Sequence, residues 1–152
     1  MNVTFIAHSA FLVEWDKFYT LFDYTYEPDY TGALPELSGD KPLLVFSSHS
    51  HEDHFDAKVF ALLEKYPGAR FFVSRDTRLT ERKRKWLNIT DEAFARTTVL
   101  RPDSILLTEA AGEDLSIRAI KSTDIGNAYL LRCEGKMVYH GGDLNWWDWK
   151  SE

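Results

Sequence analysis

The stretch 43-LLVFSSHSHEDHFD-56 decides how this chain is read. Its first four residues form an uninterrupted apolar run, the pattern of a strand buried on both faces. Three of the chain's five histidines, His49, His51 and His54, follow within six residues, and Asp53 stands between the last two. Asp56 is then placed to cap a helix predicted over 57–66. Val59, Phe60, Leu62, Leu63 and Tyr66 give that helix an apolar face at spacings of three and four, and Pro67-Gly68 ends it. Side chains alternate along an extended segment, so His49, His51 and Asp53 are expected on one side, with His54 following as the chain turns. Imidazoles and a carboxylate converging at the end of a buried strand are ligands for a borderline divalent cation such as zinc, at roughly 2.0–2.2 Å. Open α/β sheets place their sites at such strand ends. A solvated or pH-sensitive histidine loop is the plainer alternative, but it does not explain the position between a buried strand and a capped helix.

Working outward, residues 3–6 and 11–15 read as short strands joined through 8-HSA-10, and 20–22 continue the meander. Residues 23–40 hold Pro28, Gly32, Pro35 and Gly39 and read as a long loop. Residues 70–74 contain the buried run 71-FFV-73, residues 78–88 are predicted helical, and Thr90 caps a further turn over 91–95. Strands are expected at 104–108, 115–121, 128–132 and 136–140, separated by turns bearing Gly and Asp. No repeat or linker divides the chain. A single α/β domain over 1–152, built as a layered sandwich, is the economical architecture.

Composition narrows the function classes. The net charge of −6 argues against unaided binding to a nucleic-acid backbone. The basic run 82-RKRK-85 is most simply a solvated helix face. No apolar run is long enough for a membrane span and no signal peptide is apparent, so a cytoplasmic location is expected. The lone Cys133 forms no intrachain disulfide and is expected to be an inert buried thiol.

The segment 49-HSHEDH-54 matches the H-x-H-x-D-H signature of the metallo-β-lactamase fold superfamily of hydrolases. Two further stretches agree. The start, 8-HSAFLVE-14, resembles the opening strand pair of the branch that contains L-ascorbate-6-phosphate lactonase-like proteins. The end, 140-HGGDLNWW-147, resembles the later Gly-Asp motif. The resemblance implies an αβ/βα sandwich carrying a two-metal site. His49 and His51 would bind the first metal, Asp53 and His54 the second, and Asp143 would bridge them. Gly141 and Gly142 would let the backbone turn so that Asp143 reaches the site. Zinc is the expected metal, with manganese or iron as alternatives. The implied activity is hydrolysis of a small lactone, ester or phosphoester by a metal-bound hydroxide, with Asp53 as the catalytic residue that orients the water.

The sequence departs from the family pattern in two places. No histidine lies between His54 and His140, where the family supplies a third ligand to the first metal. The corresponding region is 122-STDIGNAYLL-131. There Asp124 is the candidate oxygen ligand, and Ser122 and Thr123 are pocket-lining alternatives. The family's last metal histidine also lies well past the Gly-Asp motif, whereas this sequence ends at Glu152. The C-terminal portion of the fold is therefore expected to be truncated. An unfinished sheet favours self-association into a homo-oligomer that completes it. A non-catalytic, self-associating remnant of the fold with weak or no metal binding is the rival reading. His8 is a candidate metal or pocket residue, or else a structural one at a strand end. His140 is expected to support the site or pack rather than ligate. Trp146, Trp147 and Trp149 are expected to pack in a core or interface, with a substrate wall as the alternative.

Overall fold

The computed structural model describes residues 1–144. Ten strands alternate with three short helices: β1 (Asn2–Ala7), β2 (Ala10–Glu14), β3 (Tyr19–Phe22), β4 (Leu43–Ser47), α1 (Phe60–Lys65), β5 (Arg70–Ser74), α2 (Glu81–Trp86), α3 (Asp91–Ala95), β6 (Thr97–Leu100), β7 (Ser104–Ala110), β8 (Glu113–Lys121), β9 (Asn127–Cys133) and β10 (Lys136–His140). Strands β1 to β6 form one sheet in sequence order. Its first three strands are antiparallel, and β3 to β6 run parallel. The second sheet, ordered β10-β9-β8-β7, is an antiparallel meander.

The 43-LLVF-46 run shows why the layers stack as they do. Leu43 and Val45 join a core with Leu21, Leu63, Phe71, Val73 and Ala93 on the helical side. Leu44 and Phe46 face the other way and pack with Phe22, Phe72, Ile117, Tyr129 and Leu131 between the two sheets. A strand apolar at every position is what two buried faces require. The order is thus helices, first sheet, second sheet. Among the described residues no helix covers the outer face of the second sheet. Ile105 and Leu107 stand 63% and 77% exposed there, and Met137 and Tyr139 are also exposed.

One of the expected elements needs correction. The helix predicted over 78–88 is only α2, because Arg78 adopts a left-handed φ of 48° and Thr80 caps the helix from outside. The helix predicted over 57–66 opens with a short 3-10 turn (Ala57–Val59) capped by Asp56, as expected, and continues as α1. Strand β6 had no strong sequence signal, since its short edge position leaves Thr98 and Val99 exposed. Trp146, Trp147 and Trp149 lie outside the described residues.

The parallel strands β3, β4 and β5 end together at one rim of the sandwich, followed by Asp23, by the histidine segment and by Ser74–Asp76. The β8–β9 loop and the segment after β10 reach the same rim: Asn127 N–H donates to the Ser48 carbonyl at 2.8 Å, and Gly142 packs on Ser48.

Candidate metal centre

The histidine segment is not extended. His54 N–H and Phe55 N–H both donate to the His51 carbonyl, at 3.0 and 2.8 Å, and this turn separates Asp53 from His49 and His51. The expectation that these three share one side therefore fails. The turn instead distributes the side chains between two groups. His49, His51, Asp124 and Asp143 form one, and His8, Asp53 and His54 form the other. Within each group the candidate ligand atoms lie within 4.8 Å of one another.

The separations suit cations. Two ligands at about 2.1 Å from one tetrahedral ion stand about 3.4 Å apart. His49 Nε2 lies 3.0 Å from His51 Nδ1 and 3.6 Å from Asp143 Oδ2. In the second group His54 Nε2 is 3.3 Å from Asp53 Oδ2, which is 3.0 Å from His8 Nε2. Asp143 connects the groups, because its other oxygen, Oδ1, lies 3.0 Å from His54 Nε2.

A buried hub aims the inner rings. Asp23 is fully buried. It accepts from Ser48 N–H at 2.6 Å, the Ser48 hydroxyl at 2.8 Å, His54 Nδ1–H at 2.8 Å and His140 Nε2–H at 2.6 Å. With its proton given to Asp23, the Ser48 hydroxyl oxygen is left to accept from His49 Nδ1–H at 2.9 Å. This network assigns the Nδ1–H tautomer to both His49 and His54, leaving both Nε2 lone pairs aimed at the clusters. His54 Nε2 is buried and makes no hydrogen bond, although two carboxylate oxygens face it. A lone pair opposed to two carboxylates is repulsive unless a proton or a metal cation lies between them. The donor set, imidazole nitrogen and carboxylate oxygen, is that of zinc or a similar divalent metal.

Two glycines make the convergence sterically feasible. A Cβ on Gly126, at φ +76°, would lie 2.3 Å from the Ser48 carbonyl oxygen and 2.6 Å from His49 Cβ. One on Gly142, at φ +58°, would lie 2.9 Å from Ser48 Cβ. The bare backbone at these positions lets the loops bearing Asp124 and Asp143 close on the histidine strand. Thr123 Oγ1 donates to the Asp143 carbonyl at 3.1 Å and Ser122 Oγ to the Gly141 carbonyl at 3.3 Å, so these two residues tie the loops together.

The family model described as beta-lactamase superfamily domain matches residues 2–147. The chain belongs to the beta-lactamase superfamily. Among solved structures this superfamily member is similar to Igni18, a metallo hydrolase from the hyperthermophilic archaeon Ignicoccus hospitalis. The TM-score is 0.56 at 21% identity, covering 96% of this chain and 62% of that one. It is also similar to a protein of unknown function from Enterococcus faecalis, with TM-score 0.55 and 16% identity over 91% of this chain and 41% of that one. Human tRNase Z, short form, matches with TM-score 0.50 and 13% identity over 86% and 60%. At these identities the likeness establishes the fold alone, and the chain spans less than two thirds of each neighbour. No curated protein matches the sequence. No helix among the described residues is long and apolar enough to cross a membrane.

The electrostatics of this superfamily member separate hub from ligands. Burial alone would raise the Asp23 carboxyl, but the adjacent His140 and the hydrogen bonds from His140 and His54 outweigh it and hold it well below the usual carboxylate range. Burial would lower His54, but the Asp23 hydrogen bond and charge outweigh it, so its pKa rises. His49 is lowered by burial and by the neighbouring His54, which keeps its ring neutral.

The structure brings together all the sequence-predicted site residues: His49, His51, Asp53, His54, Asp143, Asp124 and His8. His140 supports the hub, stacked on Phe22 with ring centroids 4.8 Å apart. Asp23 was missed. Its only signal was an acid immediately after the apolar strand 19-YTLF-22. Asp76, whose carboxylate accepts Ser50 N–H at 2.8 Å between the two first-group histidines, was missed as well.

Proposed function

We propose that this domain is the metal-binding part of a metal-dependent hydrolase. Its substrate is a small lactone, ester or phosphoester, and its functional kin are the lactonase-like branch suggested by 8-HSAFLVE-14. One observation carries the reading: the unbonded, buried His54 Nε2 sits between two carboxylates within a constellation of seven ligand-type side chains. His49, His51, Asp124 and Asp143 would hold one cation. His8, Asp53 and His54 would hold the other, with Asp143 shared. Bound divalent ions in such a site supply Lewis acidity and acidify water. The chain's own residues fix the geometry: Asp23 orients His54, Ser48 orients His49, and Asp76 holds the Ser50 amide between the first-group histidines. Asp53, partly exposed beside His8, would orient a water and accept its proton.

The test is metal content by mass spectrometry combined with hydrolysis of lactone, ester and phosphodiester panels. Wild type should take up zinc or manganese and turn over at least one class, while His51→Ala and Asp143→Ala should lose both properties. Equal residual rates in wild type and variants with metal supplied would refute the enzyme reading.

A second reading draws on the uncovered apolar residues Ile105, Leu107, Met137 and Tyr139, and on Val3 and Phe5 of β1. These faces favour a self-associating domain, in which further copies or further polypeptide cover the second sheet. Light scattering coupled to size exclusion separates the two: a metal-loaded, active monomer excludes the self-associating remnant, and a metal-free oligomer favours it.

A further inference from the structure

The outer face of the second sheet carries charge as well as uncovered apolar side chains, and the charge is sorted by position. Strand register sets its rows. Ile105, Arg118, Leu130 and Tyr139 stand in one row across β7 to β10, and Leu107, Ser116, Arg132 and Met137 stand in the next. Glu109 and Asp114 oppose each other in a third row, across β7 and β8. The two acids are thus a directly opposed like-charge pair, and Arg118 and Arg132 are diagonal neighbours on adjacent strands. All four side chains are exposed. Among the described residues none of the four has an ion-pair partner, whereas Glu113 and Glu134 at the same end of the sheet pair with Lys17 and Lys136. Arg70 reaches the Glu109 carbonyl rather than its carboxylate. The Arg132 guanidinium reaches the Met137 sulfur at 3.9 Å. Like charges directly opposed on a sheet are destabilising, so each couple lacks the counter-charge that the other type of couple would supply.

We propose that a second copy of the chain covers this face, in a two-fold dimer that sets the arginines of each copy on the acids of the other. The same patch serves both sides of an isologous contact, so it must be complementary to itself. Two guanidinium groups and two carboxylates held in separate places on one face meet that demand. A two-fold axis lying in the interface, oblique to the strands, brings Arg132 over the partner's Asp114 and Arg118 over the partner's Glu109. The strands of the two copies then cross steeply, as in orthogonally packed sheets. Ile105, Leu107, Met137 and Tyr139 lose their exposure in the same contact. Guanidinium–carboxylate pairs fix the angle and register that apolar contact alone leaves open. An anionic membrane or polyanion fits this face worse, because Glu109 and Asp114 repel it. The candidate metal centre lies beyond the ends of β8 and β10 and not on this face. The dimer therefore goes beyond the hydrolase reading and does not depend on it.

Sedimentation equilibrium of the full chain over a range of concentrations tests the contact. Wild type should be a dimer that weakens as salt is raised. Arg118→Glu/Arg132→Glu makes the face acidic throughout, and Glu109→Arg/Asp114→Arg makes it basic throughout. Each double variant alone should dimerise about tenfold or more weakly than wild type. Mixed in equal amounts, the two should recover dimers, because each supplies the charge the other lacks. That recovery also shows that both variants are folded. A monomeric wild type, assemblies larger than two, or a mixture no tighter than either variant alone would overturn the proposal. Zinc uptake is followed on the same samples: wild-type dimers that take up no zinc would overturn the metal reading and leave the dimer standing.

Discussion

The two sides of the candidate metal centre are built by different means. The inner side is a buried hub in which Asp23, Ser48, His54 and His140 satisfy one another, with Asp23 and His54 shielded from solvent. The outer side is borne on turns and loops: His8, His51 and Asp124 are exposed, and Asp53 and Asp143 are partly so. The hub is part of the fold's core and fixes direction, whereas the loops bring charge to a place the hub has already defined. Stability and metal affinity should therefore respond separately to substitutions on the two sides.

Asp23→Asn should have the largest effect on folding. It leaves His54 and His140 buried without their carboxylate, and removing one partner of a buried pair costs about 3–5 kcal/mol. Urea unfolding of the metal-free protein measures it. The same group sets an acid limb. Because the folded-state pKa of Asp23 is depressed, its contribution is present above the unfolded carboxylate pKa of about 3.9 and is lost as pH falls toward the folded value. Wild type should lose stability as pH drops below about 4, and Asp23→Asn should show a shallower decline.

Gly126→Ala comes next. Its φ is left-handed, and the added carbon meets backbone at 2.3 Å rather than a yielding side chain. A loss of about 2 kcal/mol is expected together with weakened metal binding, since the loop must lift away from His49. Thermal unfolding and zinc titration of one sample check both.

Asp124→Ala sharpens the contrast from the other side. Its side chain is exposed, so stability should change by less than about 0.5 kcal/mol. Losing a supporting partner of a metal ligand typically costs about 10–100-fold in affinity, and losing a ligand should cost no less. His8→Ala should be mildest, with unchanged folding and a smaller loss at the second cation. Equal stability losses for Asp124→Ala and Asp23→Asn would erase the distinction between hub and loops.

The sequence made the ligand side far more legible than the hub. The run 43-LLVF-46 announces a doubly buried strand, and the histidine spacing after it announces ligands, because both signals are local. Asp124 could be singled out because the family pattern leaves a vacancy in 122-STDIGNAYLL-131. Asp23 could not, since in one dimension it is merely the first polar residue of a long loop. Its importance arises from contacts with Ser48, 25 residues away, and His140, 117 residues away. Asp76 was hidden for the same reason, its partner Ser50 being reached only through the pairing of β4 with β5. The overlong helix at 78–88 came from reading basic residues of good helix propensity without knowing that Arg78 turns left-handed. The sharing of faces by His49, His51 and Asp53 failed because a turn at His51 replaced the extended chain.

On the proposed reading two cations would fit between these side chains, with Asp143 facing both. Anomalous diffraction at the zinc edge, from crystals grown with zinc, tests it most directly. Two peaks are expected, one enclosed by His49, His51, Asp124 and Asp143, the other by His8, Asp53 and His54. Absence of any peak at these residues, or zinc bound only at a distant surface site, would contradict it.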